Sequence, residues 1–521
     1  MKNCLILLFF LTLISCKSDK YDLIIINGTI LDGTGSDSFQ ADIGILDERI
    51  VEIGDLKNAE AKTIIDASGM VVSPGFIDMH THLEPIMEMP DAKSLIMQGV
   101  TLALGGPDGG GPWPFGSYLD SLEQLGTGPN LAYLIGHNTI RREVMGNVDQ
   151  APTLSQMDSM KNYVEMAMKE GAFGISTGLK YLPGTFAKVD EIISLSKVAS
   201  SYQGIYTSHL REEGLGLIDA VQEAILISKE AEIPVVLTHH KAIGVKMWGA
   251  SVKTLSLVDS ARKEGLDIMM DQYPYAASHT GISVLIPSWA LEASEFSNRV
   301  QDPILKDSIK SGIIFNILND RGGNDLRRIQ FSRVSWRKEL EGKTLHDWAI
   351  LEGMEPTVEN GAELVIQAQL NGGTGTIYHA MDEADVERIM KHPMTMIGSD
   401  GRLSQPGDGH PHPRAYGTFP RILGYYVREK NILDLPTAIH KMTGLSAQRL
   451  GIQDRGIIKK GNFADLTIFD PEKIIDRSTF TDPHQYPTGV QFVLVNGQLI
   501  VDQGEFQDIR PGKILRKNKM D

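Results

Sequence analysis

Nine apolar runs of strand length recur between residues 72 and 453, separated by stretches of helical character. That alternation predicts βαβ units and a parallel sheet. The runs cover 75–82, 100–105, 131–137, 173–180, 204–209, 234–240, 267–273, 375–379 and 394–400. A (β/α)8 barrel needs eight, so either 267–273 or 375–379 is expected to be peripheral. Residues 280–350 break the rhythm and predict an insertion over the barrel mouth.

The two ends of the 521-residue chain read differently. Short strand-like runs with tight turns fill 21–71 and 454–515, and an Asn-Gly pair closes a run at each end (Asn27-Gly28, Asn496-Gly497). Such pairs favour hairpin turns, and the two ends are expected to pair into one small β domain bracketing the barrel. Ahead of them, Lys2 and the apolar stretch Leu5 to Ile14 are too short to span a bilayer and read as a signal peptide, residues 1–15. Leu13-Ile14-Ser15-Cys16 resembles a bacterial lipobox, which implies an exported lipoprotein held at a membrane through lipidated Cys16. The only other cysteine is Cys4, so the body beyond Cys16 has none. A net charge of −16 speaks against nucleic acid as a partner, since binding it takes a basic face. Nothing in the sequence sets an oligomeric state.

The chemistry concentrates at the ends of the apolar runs. In Asp78-Met79-His80-Thr81-His82 the two histidines are two residues apart, so in a strand they point to one side. His209, His239 and Asp400 close three further runs. In a parallel barrel the C-terminal strand ends surround one site, so these imidazoles and a carboxylate are expected to converge on a divalent metal.

These segments resemble the amidohydrolase superfamily, and within it the N-acyl-D-amino-acid deacylases (D-aminoacylases). The likeness is carried by 75–82, by Thr207-Ser208-His209-Leu210-Arg211, by Thr238-His239-His240-Lys241 and by Gly398-Ser399-Asp400-Gly401. Residues 410–419 (HPHPRAYGTF) and 482–487 extend it. The resemblance implies a distorted barrel with a β-sandwich, and zinc bound by His80 and His82 at one position and His209 and His239 at a second. It implies Asp400 as general base and Lys241 as the cation that meets the substrate carboxylate. Arg211 and Tyr273 or Tyr275 are further substrate-binding candidates, and His379 and His137 are candidates to hold the oxyanion. The expected reaction is hydrolysis of the amide bond of a small N-acyl-D-amino acid.

One segment departs from the family. Many D-aminoacylases carry Gly-Asn-Cys-Gly after the second strand, with the cysteine on metal; here the aligned residues are Gly106-Pro107-Asp108-Gly109. Two residues can supply the missing anion. Lys180 ends the fourth run, and Lys180, His209 and His239 fall about one βα unit apart; elsewhere in the superfamily a lysine there is carboxylated and bridges two ions. Asp108 is the other. The reading favours Lys180 as bridge, with Asp108 on metal or beside it. Two alternatives remain: the same chemistry on D- or β-linked dipeptides or cyclic amides, and a catalytically dead, lipid-anchored binding protein.

Overall fold

The computed structural model describes residues 20–517. The predicted signal peptide and Cys16 lie outside the described residues.

Eight parallel strands form the barrel: Phe76–Asp78, Val100–Gly105, Asn130–Tyr133 continued by Ile135–Gly136, Gly174–Gly178, Ile205–His209, Val235–Leu237, Ile268–Gln272 and Thr395–Ile397. The ring closes where the Met79 amide donates to the Ile397 carbonyl at 3.2 Å. Both faces of each strand are covered, so the strands are buried along their length; every residue of Val100–Gly105, Gly174–Gly178, Ile205–His209 and Ile268–Gln272 is buried. Ile77, Leu102, Phe173, Ile205, Val236 and Met396 fill the lumen, so it is a packed core below the site. The outer helices bury one stripe each. In Leu217–Ala231 the buried residues Leu217, Ala220, Val221, Ala224, Ile227 and Ala231 recur at helical spacing.

The strand Ile268–Gln272 belongs to the barrel, and Gly375–Tyr378 is the peripheral one. It lies between Ser278–Gly281 and Ile329–Arg333 in a separate antiparallel sheet. The insertion is therefore longer than 280–350. Its own hydrophobic core runs from Ile282 to Ala380, around Trp348, Phe331 and Tyr378. The helix Val358–Leu370 followed by a strand imitates a βα repeat, which is why the barrel rhythm seems to resume before the insertion has ended.

Both chain ends share one seven-stranded sheet, in which Val71–Pro74 pairs antiparallel with Leu466–Phe469. A four-stranded sheet built from Tyr21–Ile26, Asp42–Leu46, Arg49–Gly54 and Ala61–Asp66 completes the sandwich. Ile43, Ile45, Val72, Leu466 and Leu494 pack between the two sheets.

Candidate active site

The C-terminal end of the first strand is tied to that of the eighth. Asp78 Oδ1 accepts from the amides of His80 (3.1 Å) and Ser399 (2.8 Å), and its Oδ2 accepts from the Ser399 hydroxyl at 2.5 Å. Asp78 therefore aligns the histidine strand and does not reach the site; burial pushes its carboxyl up to about 6. Gly398 is required at this seam. A Cβ there would stand 2.8 Å from His80 Cβ and 3.0 Å from Asp271 Oδ1.

Two groups of ligating atoms meet above this floor. His80, His82, Asp108 and Asp400 form one, and Asp108, His209 and His239 the other; within each, the atoms all lie within 4.8 Å of one another. Asp108 belongs to both. Its Oδ1 is 3.5 Å from His80 Nε2 and 3.4 Å from His239 Nε2, while Oδ2 is 3.7 Å from His82 Nε2 and 3.5 Å from His209 Nδ1. Asp400 Oδ1 lies 3.2 Å from His82 Nε2 and 3.6 Å from His80 Nε2. Asp108, His239 and Asp400 all have left-handed backbones, with φ of 54°, 36° and 49°. Such strain in non-glycine residues clusters at functional sites.

Among the described residues, both ring nitrogens of His80 and of His209, Nε2 of His239 and Oδ1 of Asp108 are buried without a hydrogen bond. Each such group costs about 1–3 kcal/mol if left unpaired. Imidazole nitrogens and carboxylate oxygens converging from five segments fit a divalent cation. Burial opposes ionisation of Asp108, but His80, His209 and His239 outweigh it and hold the carboxyl well below its ordinary value. Burial opposes the imidazolium form of His80 and His209 and lowers both, whereas, against burial, Glu84 and Asp400 raise His82 and Asp108 and Asp400 raise His239, so these two must give up a proton to bind a metal.

Lys180 is not in either group. The strand ends at Gly178, and the Lys180 ammonium pairs with Glu212 at 2.6 Å. Asp108, not Lys180, is the residue common to both groups. Of the adjacent histidines, His239 enters the cluster, whereas His240 Nε2 turns to the Thr254 hydroxyl at 2.8 Å. Lys241 lines the cavity, 2.5 Å from Glu213 and 2.9 Å from the His239 carbonyl.

Five further candidates are engaged elsewhere. Arg211 forks onto Glu223 at 2.8 and 2.9 Å and donates to the Thr185 and Ala187 carbonyls, so it anchors loops. Tyr273 is fully buried, with its hydroxyl 3.7 Å from Met381 Sδ and its ring under Arg414. The Tyr275 hydroxyl donates to Asp476. His379 sits on the peripheral sheet, bonded to Gln330 and packed on Phe480, and His137 bonds Glu191 at 2.8 Å. None of the five lines the cavity that holds Lys241 or belongs to either ligating group.

The structure adds residues to which the sequence reading assigns no role. Glu213 and Arg321 line the same cavity of about 320 Å³. Arg414 pairs with Asp400. The Glu84 carboxylate lies 2.9 Å from His82 Nδ1. A second cavity of about 490 Å³ adjoins the first through Glu84, His279, Gly375 and Arg402.

The amidohydrolase family profile matches residues 63–300 and 323–501. The D-aminoacylase of Alcaligenes xylosoxydans xylosoxydans is 35% identical over 527 residues, covering 96% of this chain and 98% of the relative. The N-acyl-D-glutamate deacylase of that organism is also 35% identical, covering 96% and 97%. The crystal structure of N-acyl-D-glutamate deacylase from Bordetella bronchiseptica, complexed with zinc and a phosphonate mimic of the tetrahedral intermediate, superimposes with a TM-score of 0.82 at 33% identity, covering 96% of this chain and all of that one. A D-aminoacylase structure, described for its binuclear metal center, gives 0.81 at 33% identity and 95% coverage of this chain. On the profile match and on identity sustained along nearly its whole length, the chain belongs to the amidohydrolase family.

Proposed function

We propose that the protein is a zinc-dependent hydrolase that cleaves the amide bond of N-acyl-D-amino acids into a carboxylate and a D-amino acid. The observation that carries this reading is Asp108 standing between two histidine pairs with Asp400 beside them. The activities of the two 35%-identical relatives support the substrate class.

His80, His82 and Asp400 would hold one ion and His209 and His239 the other, with Asp108 between them as a carboxylate bridge. Zinc, when bound, polarises the amide carbonyl and makes water acidic enough to attack near neutral pH. Asp400 would accept the proton of that water and return it to the leaving amine, as a carboxylate within hydrogen-bond reach of both can. Lys241 and Arg321 are both 3% exposed and share a single buried carboxylate, Glu213. Two buried cations on one anion leave positive charge unmatched, and a substrate carboxylate matches it.

The test is a panel of N-acetyl-D-amino acids, their L-enantiomers, D-dipeptides and cyclic amides, assayed with zinc. Turnover confined to the N-acyl-D-amino acids is the expected result. Preference for L-enantiomers, dipeptides or cyclic amides would overturn the assignment, as would inactivity of the zinc-loaded protein.

We also propose that Cys16 carries lipid and tethers the enzyme to a membrane after export. The apolar segment and lipobox-like residues before it support this. Among the described residues, no helix is long and apolar enough to cross a membrane. Cys16→Ser should move the protein from the membrane to the soluble fraction and abolish incorporation of labelled palmitate; unchanged fractionation refutes the anchor.

A further inference from the structure

His209 and His239 each show one ring nitrogen to Asp108 and the other to Glu213. His209 Nδ1 faces Asp108 at 3.5 Å and its Nε2 faces Glu213 Oε2 at 3.7 Å. His239 Nε2 faces Asp108 at 3.4 Å and its Nδ1 faces Glu213 Oε1 at 3.2 Å. Asp108 and Glu213 thus stand on opposite sides of the same two rings. An imidazole that gives one nitrogen to a metal carries its proton on the other, and that N–H needs a fixed acceptor. Glu213, 4% exposed, turns one oxygen toward each ring, at hydrogen-bond distance from His239 and just beyond it from His209.

We propose that Glu213 is a positioning residue: one carboxylate fixes the tautomers of His209 and His239 together and, through Lys241, couples them to the substrate-binding cation. The proposal rests on reading those histidines as ligands. In the structure Lys241 Nζ lies 2.6 Å from His239 Nδ1. An ammonium donates there only if Nδ1 is bare, which places the ring proton on Nε2, the atom facing Asp108. When Nε2 serves as a ligand, Nδ1 carries the proton and donates it to Glu213. Lys241 then loses one acceptor, keeps Glu213 and the His239 carbonyl, and has an N–H left for a substrate carboxylate.

The test uses zinc as the probe, competed from the loaded enzyme with a chelator. Wild type should retain zinc, and Glu213→Gln should bind it about 10–100-fold more weakly. KM for an N-acyl-D-amino acid should rise in Glu213→Gln and in Lys241→Met, but only the former should lose zinc. Wild type without affinity for zinc sinks the metal reading itself. Wild type that binds zinc, with Glu213→Gln binding it equally well, sinks only the role of Glu213. If Glu213→Gln does not fold, Glu213→Asp carries the test: it keeps the charge but cannot span both rings, and zinc affinity equal to wild type overturns the proposal.

Discussion

Arg414 Nη1 lies 2.8 Å from Asp400 Oδ2, and both side chains are buried. Burial alone would push the Asp400 carboxyl up; Arg414, followed by His80 and His239, instead holds it far below its ordinary value. The base therefore enters the reaction as an anion. Arg414→Met removes the largest of these stabilising charges, so the carboxyl takes up a proton at higher pH. The acidic limb of kcat/KM should shift upward in pH in this variant. A limb that stays put, or moves down, would show that Arg414 does not set the charge of Asp400.

Asp400→Asn keeps the shape of the base and removes its proton affinity. Turnover should fall by about 10²–10⁴-fold, while zinc stays at His209 and His239, which Asp400 does not serve. Metal content and turnover measured on one preparation decide this. Activity near wild type would eliminate Asp400 as the base.

Which parts of this site were legible follows from how each residue is placed. His80, His82, His209, His239 and Asp400 lie at or just beyond the ends of apolar strands, where period-two alternation and barrel topology tell where a side chain goes. Lys180 has the right spacing along the chain and, like His239, lies in a turn two residues past its strand, but its ammonium turns to Glu212, which the sequence does not announce. His379 ends a genuine strand that belongs to another sheet. Glu213 follows a barrel strand as the second of two adjacent acids, and Arg321 ends a single π-helical turn of the insertion. Neither has a periodic signal, because loops position them by packing. The Gly106–Gly109 departure pointed to Asp108, but only the folded geometry shows each of its oxygens facing two histidines.

Asp108 and Lys180 give opposite expectations for metal content. Asp108→Ala removes the atoms common to both groups, so zinc per protein should fall from two ions to one or none. Lys180→Ala breaks a pair with Glu212, whose side chain is 38% exposed, and should leave zinc content unchanged. Elemental analysis of both variants checks this. Loss of zinc in Lys180→Ala with retention in Asp108→Ala would reverse the assignment.

Lys441 sits beneath the barrel, 1% exposed, with Nζ donating to the carbonyls of His392 at 2.5 Å and Thr395 at 3.0 Å. Burial pushes its pKa down from 10.5 to about 8. Below pH 8 the lysine is charged in folded and unfolded chains alike, and the fold bears the whole cost of burying it. Between pH 8 and 10.5 the folded protein gives up the proton while the unfolded chain keeps it, so this residue makes stability rise with pH. Lys441→Met has no such dependence. A protonation difference between the two states changes stability by about 1.36 kcal/mol for every pH unit over which it persists. The stability difference between wild type and Lys441→Met should therefore move in favour of wild type by about 2–3 kcal/mol between about pH 7 and pH 10. Urea unfolding of both proteins at the two pH values measures it. Curves that change in parallel would mean that Lys441 titrates alike in the folded and unfolded chain, and that its two carbonyl bonds fully offset the loss of water.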